Sequence, residues 1–280
     1  MKSRNYTLTF IGLLLIAITL GSCGERVHES VAYYSPNWMP DGRIICYKEV
    51  SKWSDALWGP RELGDKGSIT IMDVDGSNEQ DLFEIIGGYV EMVCSPVGEK
   101  IAVYTPNYNY GISVYDYRGN KSDILSGEGV DSADWSPDGR KLTYVSNRKL
   151  YIVGADGTNT TQLSLEASSP VSWRINNIIS YGHLNIIDLD SAKNIYLVAG
   201  SDPQNYSTSE VVYLGSDGVY KIRYDGSSNM KMFSNYLRST LKLSFDNTKL
   251  VGGNLETGGG NWIRGIWVMN VDGTNDKRLR

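Results

Sequence analysis

Histidine and serine limit the chemistry that this protein can do. Only two of its 280 residues are histidines, His28 and His183, and they lie far apart in the sequence. Two histidines cannot supply a His-rich metal site, and neither is placed to complete a Ser-His-Asp triad. The Gly-x-Ser-x-Gly pattern of a strand-turn-helix nucleophile does not occur. We therefore expect no catalytic residue, no metal site and no cofactor, and we predict that the protein is not an enzyme.

Repeated Asp-Gly pairs offer a second possible chemistry, calcium binding. Residues 73–76, for example, read Asp-Val-Asp-Gly. A calcium loop of the EF-hand type needs oxygen ligands at alternate positions and glycine at the sixth, whereas here glycine is the fourth residue. The Asp-Gly pairs are therefore interpreted as turns.

Three polar stretches, residues 48–67, 105–110 and 254–264, carry the best candidates for binding. Tryptophan, tyrosine and arginine are the preferred anchors of protein interfaces, and aromatic rings also stack on sugars. The alternative is that the tryptophans cap the ends of neighbouring strands as a small core. The candidate partner-binding residues are Trp53, Trp58, Arg61, Tyr108, Tyr110, Trp262 and Arg264.

The elements that must position these residues are β-hairpins. Residues 135–140 read Trp-Ser-Pro-Asp-Gly-Arg, and the residues on both sides alternate between polar and apolar. Proline presets the φ of a turn, aspartate bonds the backbone that follows it, and glycine takes the positive φ. Copies of this hairpin begin near residues 38, 94, 173 and 243. An isolated hairpin is marginal in water, so the repetition itself is informative.

A second repeated pattern, a strand that runs into an Asp-Gly turn, alternates with the first. It occurs at residues 69–76, 150–157, 219–226 and 266–273, with looser copies at 112–119 and 184–191. The six copies lie about 34 to 47 residues apart, which is near the spacing of propeller blades. The protein is therefore predicted to be an all-β propeller of four-stranded blades, six in number, with five or seven as alternatives.

The predicted blades also place the three polar stretches. Each is an insertion that should form a long loop between the second and third strands of its blade. All three loops should therefore emerge on the face opposite the tight turns, which we call the loop face. They belong to blades one, two and six, which are consecutive around a closed ring. We therefore expect the candidate residues to form one sector of a single rim.

The hairpin and Asp-Gly motifs resemble those of the TolB-like, or PD40, propellers. The match is specific at residues 135–140 and 155–157, good at 38–43, and extends over residues 32–280. TolB docks peptide segments of envelope partners at its propeller face, so the resemblance implies binding of an envelope protein or peptide segment. We expect no counterpart of the additional N-terminal domain of TolB, so the Tol role itself is not implied.

Residues 1–22 have the pattern of a bacterial lipoprotein signal peptide. Lys2 and Arg4 precede a short apolar run that ends in Leu-Gly-Ser-Cys, which resembles a lipobox with Cys23 as the lipidated residue. An ordinary secretory signal is the alternative. Residues 23–31 would then be the lipidated cysteine and a tether. We expect an exported protein that is anchored by lipid to a bacterial membrane, the outer membrane being favoured, and that faces the periplasm or the cell surface.

Charge and cysteine content bear on the partner and on the redox state. The net charge is −5 without a basic stripe, so nucleic acid is not an expected partner. Cys46 and Cys94 could pair in an oxidising compartment, but we favour two buried free thiols. The predicted function is a non-catalytic, lipid-anchored scaffold that binds an envelope protein through one propeller face. The alternative is a glycan-binding protein or a degenerate polysaccharide lyase; related lyases use clustered histidines, which this sequence lacks.

Overall fold

The structure of the protein is a computed structural model that describes residues 26–56, 59–85, 90–106, 108, 110–175, 177–191, 193–197, 200–234, 238–258 and 261–279. Every regular element in these residues is a β-strand. No helix in the described part of the protein is long and apolar enough to cross a membrane. The described residues form two compact units. The larger comprises residues 32–49 and 66–279, and the smaller comprises residues 26–31 and 50–65.

Twenty-four strands follow one another in sequence in groups of four. Blade one contains β1 (Val27–Trp38), β2 (Ile44–Ala56), β3 (Gly59–Met72) and β4 (Gln80–Ile85); blade two contains β5 (Glu91–Cys94), β6 (Lys100–Tyr104), β7 (Ile112–Asp116) and β8 (Lys121–Leu125). Blade three contains β9 (Ser132–Trp135), β10 (Lys141–Ser146), β11 (Lys149–Gly154) and β12 (Thr161–Glu166); blade four contains β13 (Val171–Ile175), β14 (Ile178–Tyr181), β15 (Asn185–Asp188) and β16 (Lys193–Tyr196). Blade five contains β17 (Ser201–Asn205), β18 (Glu210–Leu214), β19 (Gly218–Arg223) and β20 (Met230–Ser234); blade six contains β21 (Arg238–Leu243), β22 (Lys249–Gly258), β23 (Asn261–Asn270) and β24 (Lys277–Arg278).

The larger unit is a six-bladed β-propeller. Each blade is an antiparallel sheet whose four strands are consecutive in sequence. The first strands of neighbouring blades lie beside one another, so they form the inner wall of the ring. The predicted fold class, the four-stranded blade and the count of six are therefore confirmed, as is the fold that the resemblance to TolB-like propellers implies.

A buried apolar cluster fills each of the six seams between neighbouring blades. In the seam between blades six and one, Trp38 and Ile44 share a cluster with Val251 and Ile266. The described strands of blade six all come from its own segment of the sequence. Apolar packing thus closes the ring without a swapped strand, and β1 opens the first blade.

In each of two seams, a tryptophan indole N–H donates a hydrogen bond to the neighbouring blade. Trp38 Nε1 donates to the carbonyl of Lys242 at 2.9 Å, and Trp135 Nε1 donates to the carbonyl of Val93 at 3.0 Å. We call the position that Trp38 and Trp135 occupy in their blades the Trp position. Each acceptor lies on the inner strand of the preceding blade, one residue before the Trp position of that blade. Asn205 takes the Trp position of blade five, and its Nδ2 donates to the equivalent carbonyl of Ser172 at 3.3 Å.

The hairpin turn is held by a short hydrogen-bond circuit. Ser136 Oγ donates to Asp138 at 2.6 Å and accepts the N–H of Lys141 at 2.9 Å. Gly139 follows with φ of +65°, where its lack of a side chain avoids strain. Blade six repeats the circuit from Ser244, with Asn247 at φ of +60° in the glycine position.

Two of the three polar insertions are not loops, and the prediction is wrong there. In blade one, β2 continues to Ala56 and β3 begins at Gly59. In blade six, β22 and β23 stay paired as far as the pair Gly258 and Asn261. Pairing the backbone groups of an exposed segment with each other satisfies them without a core, so a polar sequence can still form a hairpin. In blade two, the described residues of the stretch 105–110 lie outside the strands, between β6 and β7.

The smaller unit contains a local polar and aromatic cluster. Trp53 stacks on His28 with ring centroids 5.6 Å apart, and His28 Nε2 lies 2.8 Å from the carboxylate of Asp55. Lys52 pairs with Glu29 at 2.9 Å on the exposed surface. Trp53 therefore contributes to packing within the smaller unit.

Candidate functional site

The propeller has a cavity of about 120 Å³ on its axis, at the end where the Pro-Asp-Gly turns lie. Turn residues of blades two, three and six form its mouth, and residues of the inner strands form its wall. The lining residues are Asn37, Val93, Cys94, Pro96, Asp134, Trp135, Pro137, Trp173, Arg174, Ile175, Gln204, Asn205, Lys242, Phe245 and Asn247.

One layer of the wall comes from a single position of the repeat, the residue immediately before the Trp position. This position is polar in five blades and apolar only in blade two. Its occupants, in blade order, are Asn37, Val93, Asp134, Ser172, Gln204 and Lys242. Five of these six residues, all except Ser172, line the cavity.

Two members of this layer hold blades together. Asp134 accepts the N–H of Trp135 at 2.9 Å and that of Trp173, in the next blade, at 2.8 Å. Asn37 accepts the N–H of Trp38 at 2.8 Å and donates to the carbonyl of Met92, again in the next blade, at 2.9 Å. Burial raises the pKa of Asp134, while these N–H donors oppose the rise. Both side chains are therefore structural parts of the wall.

Arg174 crosses the mouth of the cavity from blade four to blade six. Its guanidinium donates to the carbonyl of Leu243 and, at 2.7 Å, to that of Ser244. It also lies over the ring of Phe245, 4.9 Å from the centroid. Burial lowers the pKa of Arg174, while the charges of Asp134 and Asp246 oppose this. Its hydrogen bonds and the aromatic face compensate the guanidinium for lost water.

Asp202 places a buried carboxyl near the same axis. The side chain is only 9% exposed and lies in a β-bulge between Ser201 and Gln204. Burial raises its pKa to about 6, the charge of Lys242 opposes the rise, and that of Glu91 adds to it. Lys242 and Glu91 belong to the inner strands of blades six and two. The carboxyl of Asp202, on the inner strand of blade five, is therefore within range of the charges of both strands.

Blade five leaves polar atoms without partners at its seam with blade four. Asn205 is fully buried, and its Oδ1 has no hydrogen-bond partner among the described residues. The same is true of the hydroxyls of Ser172 and Ser180, which are paired across β13 and β14. Such atoms are rare in folded proteins and mark places where water or a ligand binds.

The metal-ligating and thiol groups offer no further site in the described residues. These residues contain no group of three His, Cys, Asp or Glu side chains placed to hold a metal ion. Cys46 and Cys94 are buried free thiols, as favoured from the sequence. Burial raises the pKa of Cys94, which makes its thiol unreactive.

The structure brings together only part of the predicted binding set. Tyr108 and Tyr110 stack on each other with centroids 5.7 Å apart and are 59% and 69% exposed. Arg61 is exposed on β3, in the smaller unit with Trp53. Cys23 and Trp58 lie outside the described residues, as do the side chains of Trp262 and Arg264. For these four, and for a binding role of the whole set, the prediction stays a prediction.

The axial cavity was missed from the sequence, although a signal for it exists. Inner strands are expected to be apolar, yet the position before the Trp carries Asn37, Asp134, Gln204 and Lys242. Polar residues at one position of successive inner strands indicate a polar channel rather than a seam. The Trp position marks the repeat, but it is the residue before it that marks the cavity.

Comparison with known proteins gives distant matches. No protein-family model matches the sequence. A curated relative, the uncharacterized peptidase YuxL of Bacillus subtilis, is 28% identical over 129 residues, which is 46% of this chain and 18% of the relative. Among solved structures, a putative TolB from Agrobacterium tumefaciens has a TM-score of 0.38 and 15% identity, covering 92% of this chain and 89% of that one. The tricorn protease has a TM-score of 0.36 and 13% identity, covering 87% of this chain and 30% of that one.

The peptidase match corrects one prediction. We predicted from the scarcity of histidine that the protein is not an enzyme, and a relative described as a peptidase contradicts this. The physical reason is that the aligned region is only 18% of that relative. The residues that do chemistry in such a relative need not lie in the aligned region. The low histidine content of this sequence therefore does not decide whether the protein is an enzyme.

Proposed function

We propose that this protein is a polypeptide-binding propeller whose ligand enters the axial cavity at the turn face. The observation that carries the proposal is the lining of this cavity, which combines the aromatic residues Trp173 and Phe245 with unlike charges and amides. Backbone amides, carbonyls and charged side chains of a peptide are complementary to such a lining. The curated relative is described as a peptidase, which also acts on polypeptide.

The test is a peptide-display selection against the native protein and two variants. Phe245→Ala removes the aromatic wall beneath Arg174, and we expect it to weaken binding of the selected peptides at least tenfold. A matched variant, Tyr108→Ala with Tyr110→Ala, removes the exposed stacked pair outside the cavity and should leave affinity unchanged. Circular dichroism and urea denaturation establish that each variant is folded.

Other outcomes assign the site differently. Selected peptides that lose affinity only in the tyrosine variant would move the site to the predicted loop face. A glycan array that binds the native protein, when no peptide is selected, would favour the carbohydrate alternative. If neither probe bound, the proposal would fail.

We further propose that the protein is exported and tethered to a bacterial membrane through lipid on Cys23. The apolar run before Leu-Gly-Ser-Cys supports this. Mass spectrometry of the protein from the membrane fraction of expressing cells should show loss of residues 1–22 and an acylated Cys23. The Cys23→Ser variant should leave that fraction and lack the lipid mass. An unmodified Cys23 in soluble native protein would exclude the anchor.

A further inference from the structure

Of the two cations that line the axial cavity, Arg174 is hydrogen-bonded to carbonyl groups, whereas the ammonium of Lys242 has neither an ion pair nor a hydrogen bond in the described part of the protein. The charged lining residues are Asp134, Arg174 and Lys242. The carboxylate of Asp134 accepts two backbone N–H groups, and the guanidinium of Arg174 donates to two carbonyls. No ion pair between described residues involves Lys242. Its ammonium group is therefore the charge that a ligand can still pair with.

The position of Lys242 is fixed by the ring. The carbonyl of Lys242 accepts the indole N–H of Trp38 at 2.9 Å, so the backbone beneath the side chain is held by the seam. The charges of Asp134 and Asp202 attract Lys242 through space. Attraction between charges is stronger in a cavity than in bulk water, so an anion that reached Lys242 would gain more there than on the open surface.

Asn205 adds an unpaired hydrogen-bond acceptor to the same cavity. Its Nδ2 is bound to the carbonyls of Ser172 and Ile178, at 3.3 and 2.9 Å, which fixes the amide. Its Oδ1 is left as an acceptor with no partner among the described residues. The ligand should therefore bring a hydrogen-bond donor as well as a negative charge.

We propose that the axial cavity recognises a carboxylate of its polypeptide ligand, which pairs with Lys242 Nζ while a nearby amide N–H of the ligand donates to Asn205 Oδ1. This inference rests on the proposed polypeptide-binding function and names the group that anchors the ligand. The carboxylate can belong to the C-terminus of a peptide or to an aspartate or glutamate side chain. Both sources place an N–H close to the carboxylate.

Three pools of N-acetylated hexapeptides separate the sources. The first has a free C-terminus and no acidic residue, the second has an amidated C-terminus and one central glutamate, and the third is amidated and free of acidic residues. Binding to the native protein is measured by fluorescence polarisation. We expect the first or the second pool to bind at least tenfold more tightly than the third, and the tighter of the two identifies the source.

Variants of Lys242 test the residue itself. Lys242→Met should abolish the advantage of the carboxylate pool and leave affinity for the third pool unchanged, whereas Lys242→Arg should keep most of it. Lys141→Met is the matched control, because Lys141 is an exposed lysine on β10 that does not line the axial cavity. Equal binding of all three pools, or an advantage that survives Lys242→Met, would overturn the carboxylate inference alone. If no pool bound, the proposed function would fail with it.

Discussion

Replacement of Trp135 by alanine should lower the free energy of unfolding by about 3 to 5 kcal/mol, the usual cost of truncating a buried tryptophan. Trp135 is only 2% exposed and shares a cluster with Ala102 and Ile112 of the preceding blade. Its indole N–H also bonds the carbonyl of Val93. The variant therefore loses apolar contact and a hydrogen bond in one seam. The measurement is urea denaturation followed by far-ultraviolet circular dichroism.

Two further variants separate these contributions. Trp135→Phe keeps most of the ring contact but leaves the Val93 carbonyl without its donor, and we expect it to cost about 1 to 3 kcal/mol. Trp53→Ala, in the smaller unit, removes a half-buried ring that stacks on His28, and we expect it to cost less than about 1 kcal/mol. If Trp135→Ala cost no more than Trp53→Ala, the seam would not depend on the repeat tryptophan.

The fold could be predicted from the sequence because its strongest signals are local. Pro137, Asp138 and Gly139 specify a turn by their own conformational preferences, whatever surrounds them. The same turn survives in blade six because Asn247 also tolerates a positive φ. The hairpin motif is not visible in blade five, where Asn205 replaces the tryptophan, although Asn205 bonds the equivalent carbonyl of the preceding blade. The role of a side chain in a seam is visible only when the neighbouring blade is in place.

The axial cavity could not be predicted with equal ease because it depends on the whole ring. Asp134 and Lys242 are more than one hundred residues apart in sequence, and only closure of six blades places them around one axis. The contact of Arg174 with the carbonyl of Ser244 likewise passes over an intervening blade. The extended hairpins were missed for a different reason. Exposed strands pair their backbones without needing the apolar alternation on which strand prediction relies.

The charge of Asp202 should make stability depend on pH. Its pKa is raised from 3.8 to about 6 in the folded protein, so the folded state holds this proton more tightly than the unfolded state does. Between about pH 4 and pH 6 the folded state carries more protons, and stability contributed by this group falls as the pH rises. Above about pH 6 the buried carboxylate is ionised and destabilises the fold by about 2 to 3 kcal/mol, at 1.36 kcal/mol per pKa unit.

The Asp202→Asn variant removes this penalty because the amide imitates the protonated acid without ionising. We expect it to be as stable as the native protein near pH 4 and more stable by about 2 to 3 kcal/mol above pH 7. Asp138→Asn is the control of opposite sign. The hydroxyl of Ser136 lowers the pKa of Asp138, so that carboxylate contributes stability at neutral pH which is lost as the pH falls. Urea denaturation midpoints of the three proteins, taken from pH 2.5 to pH 8, give the measurement.

A difference in stability between the native protein and Asp202→Asn that stayed constant with pH would mean that folding does not raise the pKa of Asp202. A difference that grows between about pH 4 and pH 6 would show that burial raises the pKa of Asp202, a rise that the charge of Lys242 opposes. The ionised carboxylate also attracts the ammonium group of Lys242, so it competes with a ligand for that group. Protonating Asp202 then leaves Lys242 more available to an external carboxylate. Affinity for the carboxylate pool should consequently rise as the pH falls from 7 to 5.5, and in Asp202→Asn it should already be high at pH 7.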